Sequence, residues 1–202
     1  MVTNTTAVLQ RENARLQSET QALQKELTEL RNFVEILNGL ASASANMTGD
    51  DALFPLLHRA FQSAMDLLNA PEGSLLLLDE ETNELKFVLV KGALAEHLLN
   101  YRIPADEGIA GWVIQHRSPA LVRDVRHDSR FSHTIDDEFK FRTQSIAAVP
   151  VIGAGRILGV MEALNQPVDE PFSELDLTLL NLICRFMGEL LVDIDSSESS
   201  ER

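Results

Sequence analysis

A chain of 202 residues with 45% hydrophobic content has room for one domain of ordinary size plus an extension. A formal net charge of -14 and a pI near 4.7 argue against a nucleic-acid or anionic-membrane surface, which needs clustered Lys and Arg. The single cysteine, Cys184, rules out an intramolecular disulfide and a cysteine-built metal site. With no signal-peptide core and no apolar run of membrane-spanning length, the expectation is a cytoplasmic protein without cofactor or metal, binding neither nucleic acid nor membrane.

The first pattern in the chain is a row of leucines at a spacing of seven: Leu9, Leu16, Leu23, Leu30 and Leu37. Taken as d positions, they place Asn13, Thr20, Leu27 and Val34 at a, the arrangement of a parallel two-stranded coiled coil. Asn13 at a would pair with its twin and fix register, and Glu26 would face Arg31 of a second copy. A homodimer through residues 1–47 is therefore expected, with Leu9, Asn13, Leu16, Leu23, Leu27, Leu30, Val34 and Leu37 as its contacts. The alternative is one long helix folded against its own domain. No basic region precedes the leucines, which removes a zipper-type DNA reader.

Small and polar residues over Gly39–Gly49 suggest that the coiled coil ends or bends there. A second helix is expected from a cap at Thr48 or Asp50, with Leu53, Leu56, Leu57, Ala60, Phe61, Ala64, Met65 and Leu68 on its core face. Ser74–Leu78 and Leu85–Lys91 read as a hairpin around Asp79–Asn83, followed by a short helix within Gly92–Asn100. Arg102-Ile103-Pro104 is extended, Ile109–Gln115 a short helix, and Pro119–Val125 an edge strand. The polar stretch Arg126–Arg142 is a long connection of the functional kind. Ser145–Ile152 and Ile157–Leu164, joined by Gly153-Ala154-Gly155, read as a central hairpin too apolar to face water on both sides. A last helix starts from Ser173, with Leu175, Leu179, Leu182, Ile183, Phe186, Met187, Leu190 and Leu191 as its apolar stripe. Residues 193–202 read as a disordered acidic tail.

This order of elements, carried by Gly108-Ile109-Ala110-Gly111-Trp112, Pro119, Phe141-Arg142-Thr143, Gly159–Asn165 and Phe172–Asp176, resembles a GAF domain over 48–192. The resemblance implies an α+β fold: an antiparallel sheet of about six strands, terminal helices on one face and a small-molecule pocket on the other. The chain is most similar in pattern to the GAF domains of cyclic-nucleotide phosphodiesterases and adenylyl cyclases. Of their signature, Asn165, Phe172 and Asp176 are present, while Gln166 replaces the lysine and Leu177 the glutamate. In the family that lysine and the aspartate form a salt bridge that supports the pocket, and Gln166 has no charge to give.

By position in the resemblance, the pocket would be lined by Phe131, Asp136, Asp137, Phe141, Thr143, Ser145, Ala147 and Glu162, with a cyclic nucleotide as candidate ligand and its phosphate at the N-terminus of a short loop helix. Phe131 and Phe141 also read as plain anchors of a long loop. Arg117, Arg123, Arg126, Arg130, Lys140 and Arg142 read either as an anion site or as a solvated strip balanced by neighbouring acids. Sulfoxide reductases of this family use several cysteines, and Cys184 is alone. Two functions remain at this level: a dimeric, non-enzymatic sensor that passes a binding event to a separate output protein, or a coiled-coil interaction scaffold with an empty or vestigial pocket.

Overall fold

The computed structural model describes residues 2–46, 53–165 and 171–200. The chain forms two compact units, Met1–Gly39 and Leu40–Arg202. The expected caps Thr48 and Asp50, and Gln166, lie outside the described residues.

Helix α1 runs Val2–Asn46, so the chain remains helical through the first part of Gly39–Gly49, the stretch where the coiled coil is expected to end or bend. Alanines at 41, 43 and 45 explain this, because alanine has the highest intrinsic helix propensity and offsets the serines between them. Along α1 the side chains of Leu9, Leu16, Leu23, Leu27, Leu30 and Val34 are all exposed. Asn13 is exposed as well, and Leu37 half-buried.

In the second unit, helix α2 (Leu53–Leu67) is followed by strands β1 (Glu72–Asp79) and β2 (Glu84–Lys91), helix α3 (Ala95–Leu98) and strand β3 (Arg102–Pro104). Helix α4 (Gly108–His116), strand β4 (Ala120–Val122), a 3-10 turn (Val125–His127) and helix α5 (Thr134–Phe139) lead to β5 (Ile146–Gly153), β6 (Arg156–Leu164) and α6 (Glu174–Ser200). The six strands form one antiparallel sheet in the order β3-β2-β1-β6-β5-β4. Both hairpins are where the sequence puts them. Their turns use left-handed residues: Asn83 closes the first with Asp79 accepting from the amides of Glu81 and Thr82, each at 3.2 Å. Ala154 and Gly155, with φ of 46° and 73°, close the second. That turn is two residues, not three, and Gly153 belongs to β5.

Because successive strand residues point to opposite faces, the pattern sorts the core into two layers. Leu75, Ala147, Val149, Met161 and Ala163 face α2 and α6, whose inward residues include Phe61, Met65, Leu68, Leu180, Ile183 and Met187. Leu76, Phe87, Ile146, Ala148 and Val160 face the other way, where α3, α4 and the long connection cover them with Leu98, Ile109, Val113 and Val125.

Helix α6 differs from expectation in two respects. Its buried stripe contains Leu180, Cys184 and Gly188, while Leu182 is 43% exposed. The cause is the seat on β5: a Cβ on Gly188 would run into the carbonyl of Ile152, and one on Gly153 into the carbonyl of Gly188. The helix therefore presents its glycine to the strand, turned by one position from the face its large residues suggest. It also continues as helix to Ser200, through most of the segment expected to be a disordered tail. Ser173 caps it as expected, its Oγ accepting from the Asp176 amide at 3.1 Å while Asp176 accepts from the Ser173 amide at 2.7 Å. Asp176→Ala should thus cost about 1 kcal/mol in urea unfolding, the usual loss for one side of such a cap. No helix among the described residues is long and apolar enough to cross a membrane.

Candidate functional site

Between the sheet face opposite α2 and α6 and the connection that follows β4 lies a cavity of about 100 Å³. Its floor is set by strand register. Glu162 on β6 stands directly across from Ser74 on β1 and from Ala148 on β5, and these two small neighbours leave a hollow above the carboxyl. Ser74 donates to Glu162 Oε2 at 3.4 Å, the one hydrogen bond to this carboxyl among the described residues. The residue is half-buried because the cavity opens onto it, but its carboxyl is ringed by protein. Burial pushes its pKa up to about 7.

The walls are Phe87 and Val90 from β2, Leu94 and Leu98 around α3, Ile103 from β3, and Gly108 and Ile109 at the start of α4. The roof comes from the connection: Phe131, Ile135, Asp136, Phe141 and Thr143. Its shape is held by neutral donors to carboxylates. Asp136 accepts from the Thr143 amide at 2.9 Å and its hydroxyl at 2.7 Å. Glu107, at the start of α4, accepts from Ser132 and, at 2.6 Å, from Thr134, and these bonds hold its carboxyl below its ordinary pKa. Tyr101 donates to Glu138 at 2.5 Å, which raises the phenol's pKa, and packs edge-on against Phe139.

Of the residues expected in the pocket, Phe131, Asp136, Phe141, Thr143 and Glu162 line this cavity. Ser145, Ala147 and Asp137 do not. Ala147 lies on the α6 side of β5 and is fully buried there, and Ser145, just before the strand, has the same parity. Asp137 is exposed on α5. The expected phosphate position at the N-terminus of the loop helix is α5, a single short turn with Asp136 and Asp137 already in its first turn, so its dipole is met by the chain itself. Ser74, Glu107, Glu72 and Lys91, also in the lining, were missed. The one usable signal was Ser74, a polar residue opening an otherwise apolar strand.

The cationic cluster resolves into local pairs: Arg126 with Asp124 and Arg130 with Asp128, both at 2.6 Å, in a repeated Asp-x-Arg pattern. Arg126 draws the Asp124 carboxyl far below its ordinary pKa. Arg130 also sits 4.4 Å over the Trp112 ring, and Trp112 stacks with His116. Arg117 donates to the Gly155 carbonyl and Arg123 to that of Phe172 at 3.4 Å. This is the balanced strip, not a converging anion site. No group of three His, Cys, Asp or Glu close enough for a metal occurs among the described residues. Cys184 is buried in α6, and burial pushes its thiol pKa up, away from nucleophilic use.

The signature residues act locally. Asn165, at φ 57°, accepts from the Gln144 amide at 2.7 Å and donates to the Arg142 carbonyl at 3.2 Å, so it pins the end of the roof to the end of β6. Phe172 is buried, and Asp176 serves the cap of α6.

A GAF domain family match spans residues 53–191. The chain is 29% identical over 160 residues to dual 3',5'-cyclic-AMP and -GMP phosphodiesterase 11 of Drosophila melanogaster, covering 72% of this chain and 11% of that protein. It is 27% identical over 144 residues to the cone cGMP-specific 3',5'-cyclic phosphodiesterase subunit alpha' of Bos taurus, covering 66% and 17%. It thus spans under a fifth of these relatives' length. Among solved structures, the GAF domain of a phosphoenolpyruvate-protein phosphotransferase from Coxiella burnetii superposes with a TM-score of 0.71 at 17% identity, covering 84% of this chain and 98% of that one. Free methionine-R-sulfoxide reductase from Neisseria meningitidis does so with a TM-score of 0.63 at 21% identity, covering 78% and 87%. Sheet order, cavity and the match over 53–191 agree, and the chain belongs to the GAF domain family.

Proposed function

We propose that this chain is a non-enzymatic, dimeric sensor module of a signalling system. A small ligand enters the cavity over Glu162, and the change passes through the helices to a separate output protein. GAF domains are sensory and regulatory modules of signalling proteins, which supports the general class. The observation that carries the finer reading is the formed cavity with a buried, nearly unpartnered carboxyl on its floor, a costly arrangement in a domain that gains nothing from it by stability alone. A lone buried cysteine argues against the cysteine-based sulfoxide reduction expected of a reductase such as the Neisseria protein. The chain works in the cytoplasm on this reading.

Dimerisation rests on the exposed heptad row of α1, which leaves five leucines and a valine in water unless a second copy covers them. Leu23→Lys with Leu30→Lys should give a folded monomer by size exclusion with light scattering, since the dimer seam would bury two like charges at each of the two substituted layers. A dimer that survives both changes places the interface elsewhere.

cAMP and cGMP, named in the phosphodiesterase relatives, are the first compounds to try. Native mass spectrometry of the purified protein, alone and with each nucleotide, tests the sensor reading. A bound small molecule on a dimer is expected. Thr143→Arg should abolish uptake of any cavity ligand while keeping the fold, because the guanidinium would fill the roof and pair with Asp136. The exposed leucines also favour a second reading, an interaction scaffold with a vestigial pocket, and an empty dimer that takes up no ligand would select it.

A further inference from the structure

The charges lining the cavity are lopsided. Four carboxylates reach it, Glu72, Glu107, Asp136 and Glu162, against one cation, Lys91. Lys91 is already committed to Asp66 at 2.7 Å. The hydrogen bonds to the four acids come from neutral donors among the described residues: the Ala93 amide at 2.9 Å for Glu72, Ser132 and Thr134 for Glu107, Thr143 for Asp136, and Ser74 for Glu162. Neutral donors lower the energy of a carboxylate without cancelling its charge, so an apolar hollow walled this way holds a negative potential. Phosphate or carboxylate would enter against that potential and meet, among the described residues of the lining, only one cation, Lys91 with its Asp66 partner.

Glu162 points to what would be welcomed. Its one bond, from Ser74, is long, and its Oε1 accepts nothing among the described residues. A buried carboxyl with unfilled acceptors is stabilised most by a donor that also carries positive charge. Phe87, Phe131 and Phe141 in the lining are aromatic rings of the kind that attract a cation, and Val90, Leu94, Leu98, Ile103 and Ile109 add aliphatic surface. The volume of about 100 Å³ sets the size. An apolar cavity of roughly 150 Å³ holds benzene, so this one takes a body of about four to six carbons.

We infer that the cavity selects a small apolar ligand bearing a protonated amine, seated with its ammonium against Glu162 and Ser74. This rests on the cavity being a ligand site and goes beyond it by fixing the ligand's charge and size. It also sets the pH response. The ammonium needs Glu162 ionised; Ser74 on β1 bonds that carboxyl, and the charged groups lining the same cavity are Glu72 on β1, Lys91 on β2, Glu107 just before α4 and Asp136 on α5. With the Glu162 carboxyl titrating at about 7, binding strengthens as pH rises through 7 and levels off about one pH unit above it.

The test uses the full chain and three compounds of one shape, isopentylamine, 3-methylbutan-1-ol and isovalerate, titrated by ligand-observed NMR at pH 8 and pH 5.5, with cAMP and cGMP alongside. At pH 8 the amine should bind about tenfold or more tighter than the alcohol, and isovalerate should not compete. At pH 5.5 that preference should shrink by about tenfold. Glu162→Gln should bring amine and alcohol within about twofold of each other while the alcohol keeps its affinity. Tighter binding of isovalerate, cAMP or cGMP than of the amine, or a preference unchanged in Glu162→Gln, overturns the charge assignment and leaves the sensor reading standing. If none of the five compounds binds, both readings fall together.

Discussion

Gly188→Val is expected to lose about 3 kcal/mol of stability or more in urea unfolding, although valine forms helix better than glycine by a few tenths of a kcal/mol. At this position α6 rests on β5 backbone to backbone: any Cβ meets the Ile152 carbonyl, which belongs to a sheet strand and cannot swing aside. The helix would have to lift from the sheet, opening the layer that buries Leu180, Ile183 and Met187. Even Gly188→Ala should be destabilising, the reverse of the usual result in an exposed helix. Gly155→Ala is the comparison. It has open space around it and a φ of 73°, so its cost is backbone strain alone, about 1 kcal/mol. Equal losses at 155 and 188 would mean that α6 does not seat on β5 in this way.

Glu162→Gln is expected to stabilise the protein increasingly as pH rises above about 4.5, reaching its full effect above pH 7. The Glu162 carboxyl has a folded pKa of about 7 against an ordinary 4.5, so the native state keeps a proton that the unfolded chain releases. Stability then falls as pH rises from about 4.5 through 7 and is level above, the opposite of a salt-bridged carboxylate. The difference of roughly 2.5 in pKa corresponds to about 3 kcal/mol. Glutamine matches the shape, can accept from Ser74 and carries no charge to bury. The variant should equal the parent near pH 4.5 and exceed it by about 3 kcal/mol at pH 8, as measured by urea midpoints across pH. A difference independent of pH would mean that the carboxyl is solvated in the cavity and ionises normally.

Much of the architecture was legible because it rests on short-range chemistry. The two hairpins were marked by apolar runs around Asp79–Asn83 and Gly153-Ala154-Gly155, and the start of α6 by Ser173. In each, the residues that set the conformation are neighbours in the chain. The roof was legible only as a long polar connection; its fastenings were not, since Glu107 reaches 25 and 27 residues forward to Ser132 and Thr134. Asn165 was recognised as a signature residue, but its bonds to Arg142 and Gln144 depend on β6 ending beside the start of β5.

By itself the sequence determined the order of elements, the strand and helix periods, and hence which residues share a face: Ala147 with Val149, and Ile146 with Ala148. Which of those faces meets helices and which meets the cavity was decided only by the tertiary structure. Period two is symmetric between the two sides of a sheet, and the choice is broken by how α6 docks through Gly188 on Gly153. That docking moved Ala147 and Ser145 out of the site and left Glu162, between Ser74 and Ala148, as its floor.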